Sequence, residues 1–283
     1  MKKDYQYIEI HLQGPVVRIN LNRPERHNAL VPELISELSQ ALDEIGTMDE
    51  LLFAVLQGNG RSFCAGADLN WFSGADELSI EENAEQYKLL AEVLLKLFQL
   101  PQVSIAAVHG NVFGGGIGLM SVCDFVLADP RTKFTFSEVK LGLLPATILP
   151  LVAKRISIQD QRKWILTGSF FDSPEACQAG LVDRVAAEGG MEDPLKELLD
   201  SFSAASPSAI KSAKVLINKV ACGKVNMYDT DLTSTILAEA LLSADGQEGI
   251  QAFLENRTPQ WGKPHPQPFS KGEGGQDVKM LDT

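Results

Sequence analysis

Three consecutive glycines, Gly114-Gly115-Gly116, stand in the segment His109-Gly110-Asn111-Val112-Phe113-Gly114-Gly115-Gly116-Ile117-Gly118-Leu119, just where a helical pattern begins. Glycines there cost chain entropy, so a close approach of the backbone to something else must justify them. The first amides of a helix have no partner within it and lie at the positive end of its dipole. An anion, or an oxygen on which negative charge develops, is favoured at such a place. The spacing is neither that of a dinucleotide fingerprint nor that of a phosphate loop, because no GxGxxG or GK[ST] follows the strand.

A second segment has the same character. Gly58-Asn59-Gly60-Arg61-Ser62-Phe63-Cys64-Ala65-Gly66-Ala67-Asp68-Leu69 crowds small residues into a turn after a buried strand. Gly66 admits unusual backbone dihedrals, and Ala67 leaves the space above its own N–H clear. Such a turn can aim an amide at a ligand. It serves equally as a tight strand-to-helix connection with Asp68 as N-cap.

The elements that must hold these loops follow from periodicity. Tyr5 to Leu12 and Val16 to Leu21 alternate around Gly14-Pro15 and predict a β-hairpin. Pro32 opens an amphipathic helix with Leu34, Ile35, Leu38 and Leu42 at helical spacing. Leu51–Leu56, Val103–Val108 and Phe125–Ala128 are short apolar runs that predict buried strands, and Glu81 to Leu100 predicts a helix stopped by Pro101. Strand, loop and helix recur to about Val185, which indicates an α/β fold. Helical patterns then dominate: Asp193–Phe202, Pro207–Val220, Tyr228–Leu242 and Asp245–Glu255. The predicted division is an α/β body over 1–205, a helical part over 206–262, and a Pro-, Gly- and charge-rich disordered tail over 263–283.

Composition narrows the function. With 45% hydrophobic and 22% charged residues the chain has an ordinary globular make-up, and no apolar run is long enough to span a bilayer. No signal-peptide core follows Met1, so a cytoplasmic location is expected. Cys64, Cys123, Cys177 and Cys222 show no ligand or framework spacing and are expected to be reduced thiols; with four scattered histidines, no metal is expected. A formal net charge of −12 argues against nucleic-acid binding, which needs clustered cations. A polyanionic ligand would need a local basic patch, for which Arg23-Pro24-Glu25-Arg26-His27, and then Arg61, are the candidates.

Arg23-Pro24-x-x-x-Asn28-Ala29-Leu30, Phe63-Cys64-Ala65-Gly66-Ala67-Asp68-Leu69, His109-Gly110-x-x-x-Gly114-Gly115-Gly116 and Cys123-Asp124, in this order and spacing, resemble the enoyl-CoA hydratase/isomerase (crotonase) family. The likeness runs to about Trp261. It implies a crotonase-like ββα spiral core with a C-terminal α-helical region, assembled as a homotrimer or homohexamer. It also implies an acyl-CoA substrate, coenzyme A being part of the thioester rather than a resident cofactor. By position it makes the amides of Ala67 and Gly115 an oxyanion hole, and it places Arg26, Ala29, Ala65, Asp68, Leu69, Gly114 and Gly118 along the substrate path. Fixed N–H donors suit an enolate-like state, because they stabilise charge without reorganising.

Hydratases of the family use two glutamates. The resemblance puts the first at Gly118, where the carboxylate is absent, and the second at Glu138 in Phe136-Ser137-Glu138-Val139-Lys140-Leu141-Gly142. One carboxylate can run syn addition or elimination of water, or move a proton between carbons as an isomerase does. Gly118 is expected to open space for a branched acyl group. Ser137–Leu143 with Pro145-Ala146-x-Ile148-x-Pro150, Gly246-Gln247-Glu248-Gly249 and Pro259-x-Trp261 resemble bacterial methylglutaconyl-CoA hydratases of leucine catabolism. Such a substrate carries a far carboxylate, for which Lys88 and Tyr87 are possible partners; a solvated helix face is the other role open to Lys88. A non-catalytic acyl-CoA- or RNA-binding protein of the same fold is the remaining alternative.

Overall fold

The computed structural model describes residues 4–188 and 190–261, so the tail predicted for 263–283 lies outside them. The N-terminal hairpin is present. Ile8–Gln13 (β1) pairs antiparallel with Val16–Leu21 (β2), Ile8 opposite Leu21 and Gln13 opposite Val16. Helix α1 (Pro32–Gly46) has Pro in its first turn and buries Leu34, Ile35, Leu38 and Leu42, the face read from spacing. β3 (Phe53–Gly58) leads into the first glycine-rich loop. Helix α2 (Ile80–Gln99) starts on a capping box, in which Ser79 Oγ accepts from Glu82 N–H and the Glu82 carboxylate accepts from Ser79 N–H.

β4 (Val103–Val108) is buried throughout. The second glycine-rich loop is more than a loop, since it contains the short strand β5 (Asn111–Phe113) before helix α3 (Gly115–Ser121). β6 (Phe125–Ala128) and β7 (Lys133–Thr135) follow, then α4 (Leu149–Val152), α5 (Ile158–Ile165), β8 (Phe171–Asp172), α6 (Ser173–Gln178) and β9 (Arg184–Val185). Helices α7 (Glu192–Ser201), α8 (Pro207–Ala221), α9 (Thr230–Leu242) and α10 (Ala244–Leu254) complete the described chain.

Among the described residues the strands form two sheets, a six-stranded one in the order β1-β2-β3-β4-β6-β9 and a three-stranded one in the order β5-β7-β8. Past the hairpin, all pairings of the larger sheet are parallel. A parallel sheet is covered on both faces, which is why its strands read as unbroken apolar runs. Alternate side chains divide between two cores. Ala54, Leu56, Ala106 and Val108 join the larger core with α1, α2 and α3, while Phe53, Val55, Val103 and Ile105 face Leu195 and Leu199 of α7.

Helix α8 is tied to the same sheet by a buried charge. Lys214 Nζ lies 2.6 Å from Asp124 Oδ2 and donates to Gln102 O at 2.7 Å. Asp124 in turn accepts from Ser104 N–H and Oγ, which gives the Cys123-Asp124 motif a structural role. Removing one partner leaves the other charge buried alone. Lys214→Ala is therefore expected to cost about 3 kcal/mol, the low end for a broken buried pair because Ser104 still holds Asp124. Urea denaturation measures it; an unchanged midpoint would show that the pair contributes nothing net.

Candidate active site

Three loops from distant parts of the chain lie against one another through backbone hydrogen bonds. Ala65 N–H donates to His27 O at 2.9 Å, Leu30 N–H to Gly66 O at 2.8 Å, and Asp68 N–H to Leu30 O at 2.9 Å. Because Leu30 bonds to the residues on either side of Ala67, the Ala67 amide points away from that pairing. No protein acceptor among the described residues takes its N–H. On the other side, Phe113 N–H donates to Cys64 O at 3.0 Å and Gly114 N–H to Thr135 O at 3.1 Å. The loop of Ala67 thus extends the small sheet to which β5 belongs, and the chain leaves β5 directly into the first turn of α3.

Glycine is required at this junction by contact. A Cβ on Gly116 would lie 2.4 Å from Cys64 O, and one on Gly66, whose φ is +90°, would lie 3.0 Å from Phe113 O. Gly115 opens α3 with its N–H unpaired within the helix, and the Gly114 N-cap has φ 44°. Both predicted donors are thereby set on loops that touch.

Glu138 reaches the same turn. Its Oε1 would lie 2.7 Å from a Cβ on Gly114, so only glycine there leaves room for the carboxyl beside the Gly115 amide. The side chain is half-buried at the start of a 3-10 turn, Glu138–Leu141, and Oε2 is buried with no protein partner among the described residues. Burial raises its pKa above the usual carboxyl value, opposed in part by its own backbone N–H. Two amides and one carboxyl with a raised pKa form a site that can hold a developing oxyanion and move a proton beside it.

Comparison with known proteins identifies the family. The enoyl-CoA hydratase/isomerase family model matches residues 11–264. The chain belongs to the enoyl-CoA hydratase/isomerase family. Among relatives in this family, the enoyl-CoA hydratase AKT6-1 of Alternaria alternata is 31% identical over 252 residues, covering 88% of this chain and 82% of that protein. The crystal structure of an enoyl-CoA hydratase from Shewanella pealeana superposes with a TM-score of 0.85 at 32% identity, covering 91% of this chain and 96% of that one. An enoyl-CoA hydratase/isomerase from Marinobacter aquaeolei gives 0.84 at 32% identity, covering 90% and 98%. The α/β spiral with C-terminal helices is thus the crotonase fold, and the family acts on CoA thioesters.

Within this enoyl-CoA hydratase/isomerase fold the remaining predicted residues fall into groups. Ala29 and Ala65 are partly exposed on the touching loops; Arg26 and Leu69 are exposed beside them, Leu69 by 61%. Arg23, the first residue of the candidate basic patch, turns inward instead. Its Nη1 donates to Asp68 Oδ2 at 2.7 Å and to Ala29 O at 3.1 Å. Asp68 Oδ1 accepts from Asn70 N–H, so Asp68 is the N-cap of the Leu69–Phe72 turn and the partner of Arg23. The Arg23 hydrogen bond, partly opposed by burial, holds its carboxyl below the usual range.

One open choice is resolved and one expectation is corrected. Lys88 is 55% exposed and pairs with Glu85 and Glu92 along its own helix, while Tyr87 packs its ring on Trp71 and Phe72. The solvated face is the role Lys88 takes. The space beside Gly118 is not open either, because the side chain of Ile148 fills it.

Asn28 has a structural role that its place in the motif does not reveal. It is buried at φ 53°, donates to Asn59 O at 2.9 Å and Ser62 O at 2.8 Å, and accepts from Arg23 N–H. Asn is among the few residues that adopt this left-handed conformation readily, and that was the signal available in the sequence. Arg155 donates to the carbonyls of Ser121, Cys123 and Asp124 and so caps the end of α3.

Proposed function

We propose that the chain adds water to, or removes it from, a branched 2-enoyl-CoA thioester of the methylglutaconyl-CoA kind. The Ala67 and Gly115 amides hold the thioester oxygen as it becomes an enolate. Glu138 takes a proton from water as the water oxygen bonds to the β-carbon, and delivers a proton to the α-carbon; elimination is the reverse. The observation that carries this reading is the seat of Glu138 on Gly114, next to the Gly115 amide. Its pKa, raised by burial, supports a carboxyl that can serve as acid as well as base.

Support for a branched, glutaconyl-type acyl group comes from the likeness of Ser137–Pro150 and Gly246–Trp261 alone. Lys88 lies on the solvated face of α2, where it pairs with Glu85 and Glu92. A panel of straight, branched and dicarboxylic 2-enoyl-CoAs, turned over in ¹⁸O-water, tests both parts. Hydration puts the label in the product hydroxyl, and the branched dicarboxylic substrate is expected to have the highest kcat/KM. Double-bond migration without label would make the enzyme an isomerase, which a single carboxylate also permits.

The proposal includes a homotrimer or homohexamer, located in the cytoplasm. Helix α9 buries none of its residues in the chain and leaves Leu237 and Leu242 exposed, surfaces that a second copy would cover. Sedimentation of the purified protein as a monomer would remove that part. No helix among the described residues is long and apolar enough to cross a membrane.

A further inference from the structure

Gly118 is sealed. A Cβ built on it would lie 2.4 Å from Ile148 Cγ2, 3.1 Å from Ile148 Cβ and 3.5 Å from Leu94 Cδ1. Ile148 is 1% exposed. Its position is fixed by the backbone, since its N–H donates to Pro145 O at 3.2 Å and its carbonyl accepts from Leu151 and Val152 at the start of α4.

Gly115 and Gly118 are three residues apart on α3 and share a face. Over Gly115 stand Leu30 and Leu90, with Leu30 Cδ1 2.8 Å and Leu90 Cδ2 3.7 Å from the Cβ position. Leu90 and Leu94 are one turn apart on α2. The result is a continuous apolar wall of Leu30, Leu90, Leu94 and Ile148 along α3. Gly118 N–H donates to Gly114 O at 3.1 Å, and the Glu138 carboxyl lies against Gly114. Ile148 and Glu138, ten residues apart in the chain, therefore both lie against the start of α3.

We infer that Ile148 is a specificity-determining residue, the wall that sets the width of the acyl site at the first turn of α3. It excludes any side chain at position 118 and any acyl branch directed there. A branched substrate must then carry its branch away from Gly118, and polar groups have no entry at that point. This inference rests on the proposed reacting centre at Glu138 and Gly115.

The test compares Ile148→Ala, the milder Ile148→Val, Gly118→Ala, and Gly118→Ala combined with Ile148→Ala. Calorimetric affinities for butyryl-CoA and 3-methylbutyryl-CoA need no turnover. The wall predicts that Ile148→Ala shifts the branched-to-straight affinity ratio toward the branched ligand by about tenfold, the worth of a methyl-sized group in an apolar pocket. Ile148→Val should shift it the same way by less. Gly118→Ala alone should melt below wild type, and Ile148→Ala should recover part of that loss. An unchanged ratio in both Ile148 variants, or a wild-type melting temperature for Gly118→Ala, overturns the inference. Glu138→Gln in the same titration should keep the wild-type ratio while losing turnover. If it keeps turnover the acid/base assignment fails, and the affinity ratios still decide the role of Ile148.

Discussion

Glu138→Gln is expected to lower kcat on a 2-enoyl-CoA by about 10²–10⁴-fold, the usual contribution of a positioned acid/base group, with a much smaller change in KM. Gln keeps the size of the side chain, so its seat on Gly114 survives and the Ala67 and Gly115 amides are left in place. What is lost is the proton that must pass between water and carbon. Wild-type turnover by the purified variant would mean that the proton moves elsewhere.

The same substitution has a stability consequence of opposite sign. Burial raises the Glu138 pKa above its ordinary value of 4.5. The folded protein therefore keeps the proton at pH values where the unfolded chain has released it, and stability falls as pH rises through that interval. Gln never ionises and avoids this loss. Thermal melts should give similar values for the two proteins at about pH 4 and a more stable variant at about pH 8. A variant less stable than wild type at the higher pH would show that the carboxylate makes favourable contacts when charged.

Gly116→Ala is expected to reduce kcat/KM by roughly 10²–10³-fold, about what removing one oxyanion donor costs. The new methyl would meet Cys64 O at 2.4 Å, and that carbonyl already accepts from Phe113 N–H. Both are backbone groups, and neither can swing aside as a long side chain does. The two loops must part, and parting them moves Ala67 relative to Gly115. Overpacking of this kind also costs stability, about 1–3 kcal/mol. Gly46→Ala is the control, since its Cβ would meet nothing nearer than Leu100 Cδ1 at 3.8 Å. Control and variant are compared by kcat/KM and by urea midpoint. Wild-type kcat/KM in Gly116→Ala would show that contact between the loops does not set the geometry of the amides.

Much of the fold is legible in the chain because its signals are local. Alternation in Val16–Leu21, the helical spacing of Leu34, Ile35, Leu38 and Leu42, and the unbroken apolar run Val103–Val108 each depend on neighbours in sequence, and each element forms as read. The glycine triplet is legible for the same reason, since a glycine forced by close backbone approach stands out in composition. Strands of two or three residues, such as β5, β7 and β8, are too short to show a period. The small sheet they form is what brings the Ala67 loop to α3. Arg23 and Lys214 look like surface cations until the chain closes and buries them against Asp68 and Asp124. Gly118 shows the limit most clearly. The residue letter shows that no carboxylate stands there, but absence of a side chain does not imply empty space. That Ile148, thirty residues later, fills it is a product of folding, because close packing between distant segments depends on where each is brought in three dimensions.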